Sequence, residues 1–255
     1  MLEVRSLTKT YSTIPALDNV SFTIAPGQVL GYLGPNGSGK STTVKIITGL
    51  LEPSAGSVFF KGESIKKDLA AYKRVVGYVP EEANLYPFLT GLEYLELIGR
   101  LRGLPGGMIA RRTAAMLEVF SMTAHRHSTI ATYSKGMRQR ILLIAALLHD
   151  PELIIFDEPL SGLDVTSALI FREMVKALSR AGKTIFYCSH VLEVVEKVCS
   201  HVVILQNGKR LAYGTVDELK KFQSMPSLEA AFAHLVQERD APAAAATLVG
   251  AMSAR

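Results

Sequence analysis

The 255-residue chain has only two cysteines, Cys188 and Cys199. That is too few for a disulfide framework, so reduced thiols in a reducing compartment are expected. Long apolar runs are also missing: the longest, Ile141–Leu148, is eight residues, against roughly 20 for a membrane-spanning helix. There is no block of basic charge. The formal net charge is +5, but Lys66–Lys67, Arg111–Arg112 and Lys220–Lys221 are scattered pairs. They read as solvated surface, compatible with weak attraction to anionic lipid, and no nucleic-acid partner is expected. The opening MLEVRSLTKTYS lacks the charged-then-apolar order of a secretory signal, so a soluble, uncleaved chain is expected. His125, His127, His149, His201 and His234 form no ligand-spaced cluster, and no internal repeat is visible.

The chain does have the apolar content of a packed globule, 48%, with length for one full-sized α/β domain or two modest ones. LEVRSL, ALDNVSFTI and GSVFFKG group β-formers between turn residues, and PGQVLGYLG reads as a buried strand running into glycines. A helix follows from Gly39 to about Leu50, and RVVGYV is a further strand. From Pro87 to His149 the pattern turns helical. TGLEYLELIGRLRG sets Leu92, Leu95, Ile98 and Leu101 on one stripe, and MIARRTAAMLEVF and KGMRQRILLIAALLH suggest two more helices. After Pro151, α/β alternation returns through ELIIFDEP, VTSALIFREMVKALSR, KTIFYCSH, VLEVVEKVC and HVVILQNG. A helical block therefore interrupts an α/β core. Two short helices follow Asp217, and the Ala/Pro-rich end, 241–255, reads as a flexible tail.

GPNGSGKST spans Gly34, Pro35, Asn36, Gly37, Ser38, Gly39, Lys40, Ser41 and Thr42. It matches the glycine-rich loop whose backbone N–H groups cradle phosphates ahead of a helix. Lys40 supplies a point charge for the β- and γ-phosphates, and the Ser41 hydroxyl a ligand for Mg²⁺. LIIFDEP is a buried strand ending in two acids, where open α/β sheets place their ligands. Asp157 can reach the Mg²⁺ shell, and Glu158 can take a proton from an attacking water. His190 ends another strand and can touch the γ-phosphate. The Tyr11 ring suits adenine. In TYSKGMRQR, Ser134 and Gly136 at the head of a helix suit backbone turned toward an anion.

In these ordered motifs the chain resembles the ATP-binding subunit of an ABC transporter, over nearly its whole length. The resemblance implies a P-loop NTPase (RecA-like) α/β core with an N-terminal antiparallel β-subdomain and an inserted helical subdomain. It implies an ATPase domain over 1–222, the insert at about 87–149, a helical extension at 223–240 and the tail at 241–255. In that family two ATPase domains sandwich two ATPs, each held by one phosphate loop and the other domain's signature. YSKGMRQR is then the signature, with Ser134, Lys135, Gly136 and Met137 facing an ATP across the dimer, and Asp164 in SGLD linking the two sites. The usual signature has Leu, Gly and Gln where Tyr133, Lys135 and Met137 stand, and the usual glutamine is replaced by Glu81. Either residue at position 81 can approach Mg²⁺ and the water. LYPFLTGLEYLELIGRLRGLP with SKGM is similar to type-2 exporter ATPases. The implied partners are a membrane permease, docked on the helical block and the Glu81 loop, and a second ATPase subunit, identical or sister. The implied place is the cytoplasmic face of the membrane, with ATP and Mg²⁺ as ligands. The alternative is a soluble ABC-type ATPase without a membrane partner. Such proteins usually carry a second ATPase domain or long coiled coils, which do not fit in 255 residues.

Overall fold

The computed structural model describes residues 1–222 and 227–236. The expected tail, 241–255, lies outside them, as do residues 223–226 and 237–240 of the expected extension. One sheet is antiparallel: β1 (Leu2–Tyr11), β2 (Ile14–Ile24), β4 (Ala55–Phe60) and β5 (Glu63–Ser64), in the order β2-β1-β4-β5. The other holds β3 (Val29–Leu33), β6 (Val76–Val79), β7 (Leu153–Asp157), β8 (Thr184–Cys188), β9 (His201–Gln206) and β10 (Lys209–Thr215). Its order is β10-β9-β3-β8-β7-β6, parallel except for the β10–β9 pair.

Strands β3, β7 and β8 are buried along their whole length, as expected of a parallel sheet covered on both faces. Alternate residues point to opposite faces, and two separate cores result. Leu30, Tyr32, Leu153, Ile155 and Phe186 pack with Val44, Ile46 and Ile47 of α1 (Lys40–Ile47) and with the antiparallel sheet. Leu33, Ile154, Phe156, Ile185 and Tyr187 pack on the other face. There they meet α5 (Lys135–Leu147), α6 (Val165–Arg180) and α7 (Leu192–Val198). At roughly 1.5–3 kcal/mol for each fully buried large apolar side chain, the β3–β8–β7 centre contributes heavily to holding the sheet together.

Between β6 and β7 lie α3 (Gly91–Leu101), α4 (Gly106–Val119) and α5. Thr90 and Glu93 close a capping box at the start of α3. The stripe expected on this helix is rotated. Its buried residues are Gly91, Tyr94, Leu95 and Gly99, while Leu101 is 73% exposed. Close approach selects this face: a Cβ on Gly99 would come within 2.7 Å of Ile109 on α4, so glycine admits the neighbouring helix where leucine could not. Helix α5 is buried from Ile141 through Leu147 and belongs to both the insert and the core.

Three elements are additions to the sequence reading: the two-residue strand β5, α2 (Leu69–Arg74), capped by Asp68, and strand β10. After β10 come α8 (Val216–Phe222) and α9 (Leu228–Val236). The two sheets meet at a three-segment junction. Asp18 N–H donates to the Gly208 carbonyl at 2.8 Å, and Gly208 N–H to the Ser38 carbonyl at 3.1 Å. Gly39, at φ +105°, faces the Ala16 carbonyl so closely that a Cβ would sit 2.5 Å from it. Both the angle and the space require glycine there.

Candidate functional site

Four neighbouring strands deliver the site from their carboxyl ends, where open α/β sheets bind ligands. β3 runs into the glycine-rich loop and α1; β8 ends at Cys188, ahead of Ser189 and His190; β7 ends at Asp157, ahead of Glu158; β6 ends at Val79, just before Pro80 and Glu81. Register pairs Tyr32 with Cys188, Cys188 with Asp157, and Phe156 with Val79, so these ends lie side by side. They enclose a cleft of about 480 Å³ lined by Asn36, Gly37, Gly39, Lys40, Ser41, Thr42, Glu81, Asp157, Glu158 and His190, with Ala16 and Cys188 completing its wall.

The loop has the form of an anion cradle. Lys40 Nζ folds back on the Gly34 and Pro35 carbonyls, at 2.5 and 3.0 Å, and so crosses the mouth of the loop. Ser38 Oγ is buried and has no hydrogen-bond partner among the described residues. Gly34 and Pro35 also face a second cavity of about 330 Å³ beside Phe232 and Ala233 of α9. Opposite the loop stand three carboxylates. Burial pushes the Asp157 carboxyl up to about 6; Glu81 and Glu158 add to the rise, while the Cys188 thiol and Lys40 oppose it. Among the described residues no three His, Cys, Asp or Glu side chains are placed to hold a metal by themselves. The oxygens of Ser41 and Asp157 instead fit Mg²⁺, which binds through one or two protein oxygens plus phosphates.

Glu158 is held from several sides. Its backbone is left-handed, φ +49°, at a cost of roughly 1–2 kcal/mol for a residue with a Cβ. Its N–H donates to the Cys188 carbonyl at 2.9 Å. Its Oε2 accepts from Ser189 Oγ at 3.1 Å, and its Oε1 lies 2.8 Å from His190 Nδ1. Only 14% of this side chain is exposed, against 73% of His190. A carboxylate so placed, open on one side to the cleft, can orient a water and accept its proton.

The remaining motif residues do not line this cleft within one chain. Ser134 caps α5, its Oγ accepting from Met137 N–H at 3.2 Å. Ser134 and Lys135 are exposed, Gly136 and Met137 half-buried. Asp164 caps α6 through Ser167 N–H at 2.8 Å and pairs with Arg140 of α5. Tyr11 ends β1 with 45% of its surface exposed and Lys9 Nζ 5.4 Å from its ring centre. Three residues near the site were not singled out by their types. Ser189 sits in CSH beside the histidine that carries the phosphate reading, Cys188 is read only as a reduced thiol, and Gln139 stands between two arginines. The placing of Ser189 next to a strand-end histidine is the one signal that could have found it.

The family model described as ABC transporter matches residues 17–161. The chain is 40% identical over 219 residues to the linearmycin resistance ATP-binding protein LnrL of Bacillus subtilis, covering 86% of this chain and 70% of that one. It is 36% identical over 219 residues to the Nod factor export ATP-binding protein I of Cupriavidus metallidurans, covering 86% and 72%. Among solved structures, an ATP-binding subunit of an ABC transporter superposes with TM-score 0.88 at 34% identity, over 92% of this chain and 99% of that one. A dimeric ATP-binding cassette in a post-hydrolysis state, bound to ADP and Pi, gives TM-score 0.78 at 27% identity, over 84% and 98%. The cradle, the strand-end carboxylates and these likenesses lead to one assignment: the chain belongs to the ABC transporter family, as an ATP-binding subunit that hydrolyses ATP with Mg²⁺ to power a membrane transporter.

Proposed function

We propose that this subunit drives export, and that the cleft at the ends of β3, β8, β7 and β6 is half of a composite ATPase site. The observation that carries the reading is the meeting in one cleft of Lys40, Ser41, Asp157 and a Glu158 fixed by Ser189 and His190. Lys40 and the loop N–H groups bind the phosphates, and Tyr11 lies against adenine. Ser41 and Asp157 would hold Mg²⁺, which when bound would supply positive charge against that developing in phosphoryl transfer. Glu158 orients the attacking water and accepts its proton. His190 steadies Glu158 and reaches the γ-phosphate. Glu81 adds a carboxylate on the water side. Ser134, Lys135, Gly136 and Met137 face the nucleotide of a second ATPase subunit, and Asp164 links the two sites. Closure of the pair excludes water and aligns these donors with the developing charge.

The permease docks where the core meets the insert. A groove of about 520 Å³ runs between α2 and α3, lined by Lys73, Arg74, Tyr78, Ile98, Leu101 and Arg102, with Leu50 at its edge. Leu50 and Leu101 are 63% and 73% exposed, which suits an amphipathic helix bearing acidic groups. Tyr78 lies on the strand that leads to Glu81, so pressure in the groove reaches the cleft along β6. Among the described residues no helix is long and apolar enough to cross a membrane. The subunit works at the cytoplasmic face, held there by the permease. Residues 1–222 form the ATPase domain, with 87–149 as its insert. Export is supported by the similarity to the Nod factor export ATP-binding protein I.

The test is Mg²⁺-dependent phosphate release by the purified chain, with Lys40→Ala as control, and its recovery with membranes when the permease is co-expressed. Leu101→Glu should release the chain from those membranes. Membrane recovery indifferent to both permease and Leu101 would rule out this docking.

A further inference from the structure

The turn after Glu158 is supported by Gln139, which lies in YSKGMRQR beyond the four residues that face the nucleotide. Gln139 on α5 is 2% exposed, although Arg138 and Arg140 flank it. Its Nε2 donates to the Pro159 carbonyl at 3.0 Å. A buried carbonyl needs a donor, and Pro159 directly follows the left-handed Glu158. Two further contacts run parallel to this bond. Gly136 rests on the Gly162 carbonyl so closely that a Cβ would come within 2.5 Å of its oxygen. Arg140 pairs with Asp164. The head of α5 and the segment 158–164 are therefore joined at three levels, and the middle one acts next to Glu158.

We propose that Gln139 is a positioning residue for hydrolysis, a strut that makes the signature head and the Glu158 turn one body. The inference rests on the reading of Glu158 as the base and of Ser134 as facing a partner's nucleotide. Under it, the nucleotide gripped by Ser134 in one site and the carboxylate acting in the other site shift together. A strained backbone at Glu158 keeps its conformation only while its surroundings hold it, and the strut is the support that comes from the signature side.

The experiment compares Gln139→Met, which keeps the volume but removes the donor, with Gln139→Glu and Glu158→Gln in the full chain. Gln139→Met should keep the KM for ATP within about twofold while kcat falls at least tenfold, as expected when a catalytic group shifts by a fraction of an ångström. Gln139→Glu cannot donate when ionised but regains a donor when protonated, and burial raises its pKa. Its kcat relative to the unaltered chain should thus rise as pH falls from about 8 to about 6. With the variant shown to be fully folded at both pH values, a merely structural role would not produce that rise. Full kcat in Gln139→Met overturns the strut. Should that variant fail to fold, the pH ratio of Gln139→Glu decides, and a flat ratio overturns it. An active Glu158→Gln chain overturns the base assignment and this inference with it. An inactive Glu158→Gln beside a fully active Gln139→Met overturns the strut alone.

Discussion

His190 Nδ1 lies 2.8 Å from Glu158 Oε1 while most of the imidazole remains open to the cleft. The two side chains thus form a pair in which one partner is anchored and the other exposed. Glu158→Gln should bind Mg²⁺-ATP, accumulate an ATP-bound dimer and lose turnover by at least about 10²-fold, because the amide accepts no proton. His190→Ala should lower kcat while leaving ATP affinity nearly unchanged. Single-turnover phosphate release and size-exclusion chromatography with ATP measure both. Near-normal single-turnover rates in Glu158→Gln would remove it from the role of base.

The buried Asp157 carboxyl makes nucleotide-free protein less stable than it could be. Its pKa is raised in the fold from 3.8 to about 6, so the native state binds the proton more tightly than the unfolded chain. The contribution of this group is therefore largest at low pH and falls as pH rises through that window, by on the order of 2–3 kcal/mol once both states are ionised. Asp157→Asn should melt higher than the unaltered chain at about pH 8 and lose that advantage near pH 4. With Mg²⁺-ATP the order should reverse, since only the unaltered chain gains from metal binding. Thermal scans of nucleotide-free and loaded protein check both signs; a lower melting temperature for nucleotide-free Asp157→Asn at high pH would contradict the first.

His149 sets an opposite trend. Burial, then the nearby Arg102, lowers its pKa from 6.5 to about 4, and its Nε2 lies 3.0 Å from the Val76 carbonyl. The unfolded chain takes up this proton first. The contribution is complete above pH 6.5 and is lost as pH falls toward 4, amounting to about 1 kcal/mol at pH 5 after allowance for solvent screening. His149→Gln should flatten this part of the acid limb in urea titrations. An unchanged slope between pH 7 and 5 would show that other groups carry it.

Complementation tests whether Ser134 acts across a dimer. Lys40→Ala loses the phosphate cation and Ser134→Arg fills the space meant for a γ-phosphate, so each alone should be nearly inactive. If the chain self-associates, a mixed dimer rebuilds one complete site, and part of the ATPase activity should return. Mixed dimers that form with ATP yet recover no activity would mean that both sites must be intact. Mixed dimers that fail to close with ATP would count against the cross-dimer reading.

Much of this arrangement is legible in the residues. Glycine spacing before Lys40 and an apolar strand ending in Asp157 and Glu158 are local signals, and the parallel sheet places them side by side because consecutive strand ends share one edge. What stays hidden depends on contacts between distant segments. The buried face of α3 turns on Gly91 and Gly99, which add no hydrophobicity to a periodic pattern, so the leucines drew a stripe that the packing rotates. Strand β10, KRLAYGT, is mostly exposed and carries little β signal of its own; it forms by pairing with β9. Gln139 between two arginines looks like solvated helix, and only the fold reveals the carbonyl it faces.

The junction of Asp18, Ser38 and Gly208 has a consequence for anyone recombining this subunit with a relative. Strand β2, the phosphate loop and the β9–β10 turn interlock there through backbone groups and a glycine with no room for a Cβ. Their mutual fit is therefore set by main-chain path and by the glycines at positions 39 and 208, which leave room for it. A chimaera that takes the antiparallel sheet from one parent and the loop from another must match two backbones at close to van der Waals contact. Crossovers that keep Ala16–Asp18, Ser38–Gly39 and Asn207–Gly208 from a single parent avoid that mismatch. Graftable units of this chain are thus discontinuous in sequence: residues nearly 200 positions apart, Asp18 and Gly208, have to travel together.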